Sequence, residues 1–477
     1  MKLRLAVLSV LTTAALGSLA GCSSIGIGIG LPLPGGISIG VGGSIPLPRS
    51  PEGRPMTRTL IRDARLFDSE RARFVAGTTV VIEGDRIAEV TQERRDAAPG
   101  TRVIDAGGRA LLPGLIDAHV HVVAASHDLV GQTMQPVSLV GAEASRIMRD
   151  MLHRGFTTVR DAAGADAGLQ EAQARGLYEG PRLFVAGFPI SQTGGHADMR
   201  PRGVRGRGFF CSCAGLGLVG AIADGVGEVR RAVREQVRTG ANQIKIMAGG
   251  GISSPSDPLE GTQFSLEELR AAVEEAEAAN LYAMAHAYSP RAVTRAVEAG
   301  VRSIEHGNLI DEATARVMKR HGAFLVPTLS TYAALADEGE RLGWSASMLE
   351  KLAMVKDRGL DSVRLARAEG VPVVFGTDLL GHMHGRQNGE FLLRQQVQSP
   401  LEVLQGATWT AAQLMRQESR IGRLAPGAFA DLLLVDGDLE RGLAPRGARN
   451  ANGARGPRLS LRAAAGSRRR AALSGCS

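Results

Sequence analysis

From Leu111 to Asp378 the chain alternates short apolar runs with longer amphipathic stretches, and the alternation repeats about eight times. The apolar runs are LIDAHV (115–120), TTVRDA (157–162), RLFVAG (182–187), QIKIMA (243–248), YAMAHA (282–287), RSIEHG (302–307), FLVPTL (324–329) and VVFGTD (373–378). Runs this short and this continuously apolar are what parallel strands look like when helices cover them. Between them, EVRRAVREQVRTG (228–240) and SLEELRAAVEEAEAAN (265–280) follow the helical period, and Ser265 stands three positions before Glu268 as a capping box. The pattern predicts an α/β chain whose residues 111–415 form a TIM-like (β/α)8 barrel.

The flanks read differently. Residues 58–110 show strand alternation in TLIRDARLFD, FVAGTTVVIEGDRIAEV and TRVIDAGGRALLPG, with EGDR and AGGR at hairpin turns. The run APGAFADLLLVDGD within 416–438 returns to that unit, so a small β-sandwich domain built from N- and C-terminal segments is expected. Residues 1–21 form a leader: Lys2 and Arg4 precede an apolar run from Leu5 to Leu19. It ends in LAGC, which resembles a bacterial lipoprotein signal with Cys22 as the lipidated residue. The protein is therefore expected to be exported and lipid-anchored at a bacterial membrane, on the periplasmic face or the outer membrane, and to meet the membrane only through that lipid. Residues 22–57 are rich in Gly, Pro, Ser and Ile and read as a tether, with an added edge strand as the weaker alternative.

Composition changes this picture little. The formal charge is +8, but residues 441–477 hold nine arginines and no acid, so the rest carries 8 − 9 = −1. Nucleic-acid binding by the body is not indicated. The tail, 439–477, lacks strand periodicity and is expected to be disordered. Its Arg, Ala and Gly content is what another reading frame of GC-rich coding sequence produces, so we read a frameshift, with an arm for anionic lipid as the alternative. Four cysteines cannot be the main support of 477 residues. Cys211 and Cys213 are too close for a relaxed disulfide and read as packing.

Six residues stand at the carboxyl ends of the predicted strands: His119, His121, Lys245, His286, His306 and Asp378. In a barrel the reacting groups gather at that end. His119 and His121 are two apart on a strand and share a face, so they can grip one ion. A His-x-His pair alone is weak; four further strand-end matches make a site. An ammonium cannot ligate a cation, so Lys245 fits only as a carbamate formed with carbon dioxide, which bridges two metals, or else as an ion-pair partner of Glu305 or Asp378. His196, in the Gly-rich loop after the third strand, is read as a catalytic oxyanion donor or a carboxylate binder, with loop packing as the alternative. Tyr288 shares the strand end with His286, and His382 and His384 follow Asp378 near the mouth, as substrate contacts or a solvated loop. His127, His153 and His321 read as structural.

The strings LLPGLIDAHVHV, IKIMAGGG, AHAY, SIEHGN and FGTD, in that order, resemble the amidohydrolase superfamily, from Thr59 to Asp438. More narrowly they resemble its imidazolonepropionase-related branch, which includes Xaa-Pro and Xaa-Arg dipeptidases and ochratoxin amidases. SQTGGHADMR (191–200) and HAYSP (286–290) point to the dipeptidase and ochratoxin-amidase side. The resemblance implies that His119, His121 and Asp378 hold the more buried of two divalent ions, zinc by preference, and that His286 and His306 hold the other. Carboxylated Lys245 and a hydroxide would bridge them, and Asp378 would move the proton to the leaving nitrogen. The expected reaction is hydrolysis of the amide bond of a dipeptide or N-acyl amino acid, by a homo-oligomer. A mononuclear deaminase or imidazolonepropionase-like ring opener is the alternative that Lys245 argues against. An inactive amidohydrolase scaffold is a third reading, motivated by the tail.

Overall fold

The computed structural model describes residues 24–32, 38–46, 58–201, 203–204, 216–254, 257–443 and 462–463. The leader, Cys22, Cys211, Cys213 and most of the tail lie outside the described residues. The chain divides into two units, Met1–Met56 and Thr57–Ser477. In the first, Ser24–Pro32 and Ser38–Pro46 pair antiparallel, with Ile25 opposite Ile45 and Ile29 opposite Val41. Two parts of the segment read as a tether pair with each other as strands. Ile and Leu fall at every second position of Ser24–Pro32, which is the strand period.

The second unit begins with a seven-stranded sheet made from both flanks. Arg58–Asp68 pairs antiparallel with Arg73–Glu83, which pairs with Arg86–Thr91. Asp63 takes a left-handed φ of 50°, and the register shifts on either side of Ala64. That bulge lets one strand pair first with Arg102–Asp105 and then with Ala110–Pro113. Leu432–Val435 joins antiparallel to Ala110–Pro113, so the C-terminal segment returns as predicted; Arg462–Ala463 adds a two-residue strand from the tail. The pairing is that of one sheet, and Ile61, Val80, Ile87, Leu111 and Leu432 form a core of their own beside it.

Seven of the eight predicted central strands form. Leu115–Val120, Phe156–Asp161 and Arg182–Phe184 make one parallel sheet; Ile244–Met247, Ala283–Ala287, Ser303–His306 and Phe324–Val326 run in order in a second, which Ile190–Ser191 and Ala221–Ile222 extend. VVFGTD is the exception: it carries an isolated parallel bridge, Leu325 to Val373, and no ladder. Its backbone is engaged elsewhere. The Phe375 N–H donates to Gly406 O, at the end of the helix Pro400–Gly406, at 3.0 Å. Arg394 donates to Val374 O at 2.9 Å. The segment still lies against the first strand, since Ala118 N donates to Phe375 O at 2.9 Å and Asp378 N to His119 O at 2.8 Å.

Helices cover the outside as the periodicity required. Gly225–Arg238 buries Val229, Ala232 and Val233 against Ile244 and Ile246. Leu266–Ala278 starts at the predicted capping box, Ser265 and Glu268 each bonding the other's backbone. The alternation of the strands then aims the site: in Ile244–Met247 the two isoleucines join the helix-covered core, while Lys245 and Met247 turn inward. Among the described residues no helix is long and apolar enough to cross a membrane.

Candidate active site

All six strand-end residues line one cavity, together with His196 and Tyr288. Backbone conformation helps to collect them. His306 has φ 78° and Asp378 φ 53°, both in the left-handed region that costs a non-glycine residue about 1–3 kcal/mol. Glu305 already points inward by strand alternation; the reversal at His306 turns its ring inward as well, so two consecutive residues reach the same interior.

Asp378 is the shared partner. One carboxylate oxygen lies 3.0 Å from His121 Nε2 and 3.4 Å from His119 Nε2, and the other lies 3.9 Å from His306 Nδ1. His119, His306 and Asp378 each offer a donor atom within 4.8 Å of the others. The tautomers are set from behind: His119 Nδ1 meets Glu305 at 2.7 Å and His121 Nδ1 meets Ala163 O at 3.0 Å, which leaves both Nε2 lone pairs facing Asp378. His119 Nε2 is buried with no hydrogen-bond partner among the described residues. A lone pair kept dry and unpartnered beside a carboxylate and two further imidazoles fits a cation. His286 offers a second donor, because its Nε2 is engaged by Gly250 O at 3.2 Å and Nδ1 is left.

Electrostatics agree with ligation. Burial holds His286 and His306 well below the usual imidazole range, so both stay neutral. Burial acts to raise Asp378, but His119 and His121 outweigh it and hold the carboxyl well below its ordinary value. Burial draws the Lys245 ammonium down to about 8.

A supporting layer was not read from the sequence. Arg160 and Glu305 are fully buried; Arg160 donates to Glu305 at 2.9 Å and to Ala118 O at 2.6 Å. Asp117 ties the first strand to the eighth segment, accepting from Thr377 Oγ1 at 2.6 Å, Gln387 Nε2 at 2.9 Å and His119 N at 3.2 Å. Burial pushes Asp117 and Asp161 up to about 6. A signal existed: Asp117, Arg160, Asp161 and Glu305 are charges inside apolar strand runs, where an unpaired charge is prohibitive.

The remaining candidates divide. His196 stacks on His286 with ring centroids 4.2 Å apart, meets Asp257 at 3.1 Å through Nδ1, and has Ser253 Oγ 3.4 Å from Nε2, both side chains lining the cavity. Tyr288 stacks on His306 at 5.0 Å. His384 is not among the lining residues: its Nε2 meets Ala124 O at 3.0 Å beneath the rim. His382 is exposed between Glu338 and His127. His153 pairs with Glu179 on the surface, and His321 caps the helix Glu312–Arg320.

Comparison with known proteins places this geometry. The profile of the amidohydrolase family matches residues 110–460. The chain is 34% identical to an ochratoxinase of Aspergillus niger over 351 residues, 68% of this chain and 70% of the relative. It is 26% identical to an imidazolonepropionase of Anaeromyxobacter dehalogenans over 80% of this chain and 90% of the relative. Among solved structures, it resembles a prolidase complexed with N-methylphosphonate-L-proline at 45% identity and a TM-score of 0.79, covering 85% of this chain and 100% of that one. A Xaa-Pro dipeptidase with methionine in its active site matches at 29% identity and a TM-score of 0.73, over 81% and 95%. The motifs, the converging histidines and these matches agree, and the chain belongs to the amidohydrolase family.

Proposed function

We propose that this protein is a binuclear zinc hydrolase that cleaves the amide bond of a dipeptide or N-acyl amino acid carrying a free carboxylate and apolar side chains. The convergence of all six strand-end residues on one cavity carries this reading. The walls are apolar, with Leu129, Met199, Leu218, Ile252, Leu335 and Trp344 facing the ligands. Asp378 is the one carboxylate among the described lining residues, which disfavours a guanidinium side chain and favours Xaa-Pro or N-acyl-Phe over Xaa-Arg. The related prolidase and ochratoxinase support the same class. In this reading the two strand sets close through residues 372–378 into a (β/α)8 barrel, the small sheet folds as a sandwich, and the leader and Cys22 make an exported, lipid-held enzyme.

His119, His121 and Asp378 would hold one ion, His286 and His306 the other, with carboxylated Lys245 between them. When bound, the pair supplies an activated water at neutral pH and a Lewis acid for the scissile carbonyl. Asp378 takes the proton of the attacking water and hands it to the departing nitrogen. His196, oriented by Asp257, presents Nε2 to the substrate carboxylate or the developing oxyanion. The apolar walls exclude competing water and hold the side chains on either side of the amide.

Lys245→Ala is the decisive variant. Losing several kcal/mol of transition-state stabilisation lowers the rate about a thousandfold or more, and the metal content per chain falls below two. Hydrolysis of Xaa-Pro and N-acyl-Phe compounds and elemental analysis measure both; full activity in that variant sinks the bridged-metal reading. The compactness of the His119, His306 and Asp378 trio favours a second reading, a one-ion centre of the deaminase or cyclic-amide kind. One ion per chain in an active preparation is its signature.

A further inference from the structure

Near the start of the helix Ala346–Ala368, Lys351 reaches across to a distant part of the chain. Its ammonium donates to Asp257 O at 2.6 Å, to Ser254 O at 2.9 Å and to Gly251 O at 3.3 Å. An ammonium has three hydrogens and accepts nothing, so three carbonyls use it completely. The helix follows the seventh strand, Phe324–Val326, whereas the carbonyls belong to the loop after the fourth, Ile244–Met247, 94 to 100 positions earlier. The proposed chemistry makes no use of this contact.

The residues that Lys351 fastens are the ones that touch His196. One Asp257 carboxylate oxygen takes both His196 Nδ1, at 3.1 Å, and the Gly251 N–H, at 2.9 Å. The Gly251 backbone packs directly on the imidazole: a Cβ there would come within 2.0 Å of His196 Cε1, so only glycine allows the approach. Between these two residues, Ile252 and Ser253 line the cavity. The loop opens with three glycines in a row, Gly249 to Gly251, whose backbone freedom resists a single conformation. Lys351 supplies restraint from outside, at the two carbonyls, Gly251 O and Asp257 O, whose residues place the ring.

We infer that Lys351 is a positioning residue: by fastening Gly251 and Asp257 it holds the His196 ring where the substrate meets it. This rests on the proposed function and deepens it, because the placement of His196 then depends on a helix from another strand's excursion. Loss of the ammonium leaves the three carbonyls to water, which costs the fold little. It leaves the loop, and with it the ring, more than one arrangement. Displacing a substrate-facing group by about 1 Å is enough to cost on the order of a hundredfold in rate.

The test is a double-mutant cycle on the full, metal-loaded chain with Xaa-Pro and N-acyl-Phe substrates. Lys351→Met keeps the length of the side chain and is expected to lower kcat/KM about tenfold to a hundredfold. His196→Ala is expected to lower it about a hundredfold to a thousandfold. The combined variant should match His196→Ala alone within about threefold, because there is no ring left to place. Lys356→Met, which removes an exposed lysine from the same helix, should leave kcat/KM at the wild-type value and share the thermal midpoint of Lys351→Met. If Lys351→Met does not fold, the cycle is run on Lys351→Arg, whose planar fork keeps donors but not their arrangement. Losses that multiply, wild-type kcat/KM in Lys351→Met, or an equal loss in Lys356→Met overturn the inference. So does metal loss in Lys351→Met, since Gly250 O in the same loop meets His286 Nε2 at 3.2 Å and the brace would then serve that ligand. A wild-type protein that holds two ions and cleaves no amide overturns the proposed function, and the inference with it.

Discussion

Glu305 with Arg160 and Glu390 with Arg394 are both fully buried acid and arginine neighbours that brace the strand ends of the site, yet their hydrogen bonding differs. Glu305 is saturated: one oxygen accepts from Arg160 at 2.9 Å and Ser303 at 2.6 Å, the other meets His119 at 2.7 Å. Glu390 uses one oxygen for Ser330 N at 2.7 Å and Ser330 Oγ at 2.8 Å, and its other oxygen is buried with no hydrogen-bond partner among the described residues. Arg394 gives its hydrogen bonds to Val374 O, Val373 O and Gln398. Burial acts to raise both acids. At Glu305, Arg160 and His119 outweigh it and the carboxyl falls well below its ordinary value; at Glu390 burial wins and the acid rises to about 7. Burial alone therefore does not decide ionisation; completed pairing does.

The two acids place opposite demands on pH. A carboxyl whose folded value is depressed stabilises the fold above its unfolded value, near 4.5, and that contribution is lost as pH falls through the folded value; this is Glu305. A carboxyl whose folded value is raised contributes most below 4.5 and loses that contribution as pH climbs from 4.5 to about 7; this is Glu390. The largest expected effect tests the first. Arg160→Leu strands a charged Glu305 in a dry interior, and loss of one partner of a buried pair costs about 3–5 kcal/mol. Chemical or thermal unfolding at pH 7 measures it, and a loss under about 1 kcal/mol would mean that Glu305 is not the charged, paired acid described here.

Next in size is the effect on the metal centre. Glu305→Gln keeps the shape but exchanges a carboxylate for an amide behind His119 Nδ1, so the imidazole is less basic and its tautomer less firmly held. Metal affinity is expected to fall about 10- to 100-fold, the range found for outer partners of ligating histidines. Competition against a chelator of known affinity reads this directly. Unchanged affinity would reduce Glu305 to a structural partner of Arg160 and separate the supporting layer from the ligands.

Much of the site was legible because ligand chemistry sits at strand ends, where the sequence changes abruptly from apolar to polar. His119 and His286 are next to last in their strands and His306 is last, whereas Lys245 is the second residue of Ile244–Met247; the structure gathers all of them with Asp378 in one cavity. The supporting layer was less legible because it depends on which strands face one another: Arg160 and Glu305 are 145 positions apart, and only the packing of Phe156–Asp161 near Ser303–His306 makes them a pair. VVFGTD reads as a strand by composition, but its Val373 and Val374 carbonyls accept from Arg394, a residue on the helix Gly389–Arg394 whose side-chain reach is not written in the local pattern. His384, two residues from another histidine in a Gly-rich loop, reads as a mouth residue from its neighbours alone, and the contact of its ring with Ala124 O is set by a segment 260 positions away.

The smallest expected effect is at Glu390, and its sign sharpens the comparison. Glu390→Gln keeps an oxygen for the Ser330 N–H and hydroxyl at the start of the helix Leu329–Glu338, so the anchoring of that helix survives. What disappears is the ionisation that the fold resists. A shift from 4.5 to about 7 corresponds to at most about 3 kcal/mol at high pH, and the amide must in turn bury two N–H donors where one bare oxygen stood. The net expectation is a gain on the order of 1 kcal/mol at pH 8 and a loss of about 1 to 2 kcal/mol at pH 5, with a flatter stability profile between them than the wild type shows. Thermal midpoints at several pH values, on metal-loaded protein, measure that slope. An unaltered slope would mean that Glu390 is already ionised and that Arg394 pairs with it as effectively as Arg160 pairs with Glu305.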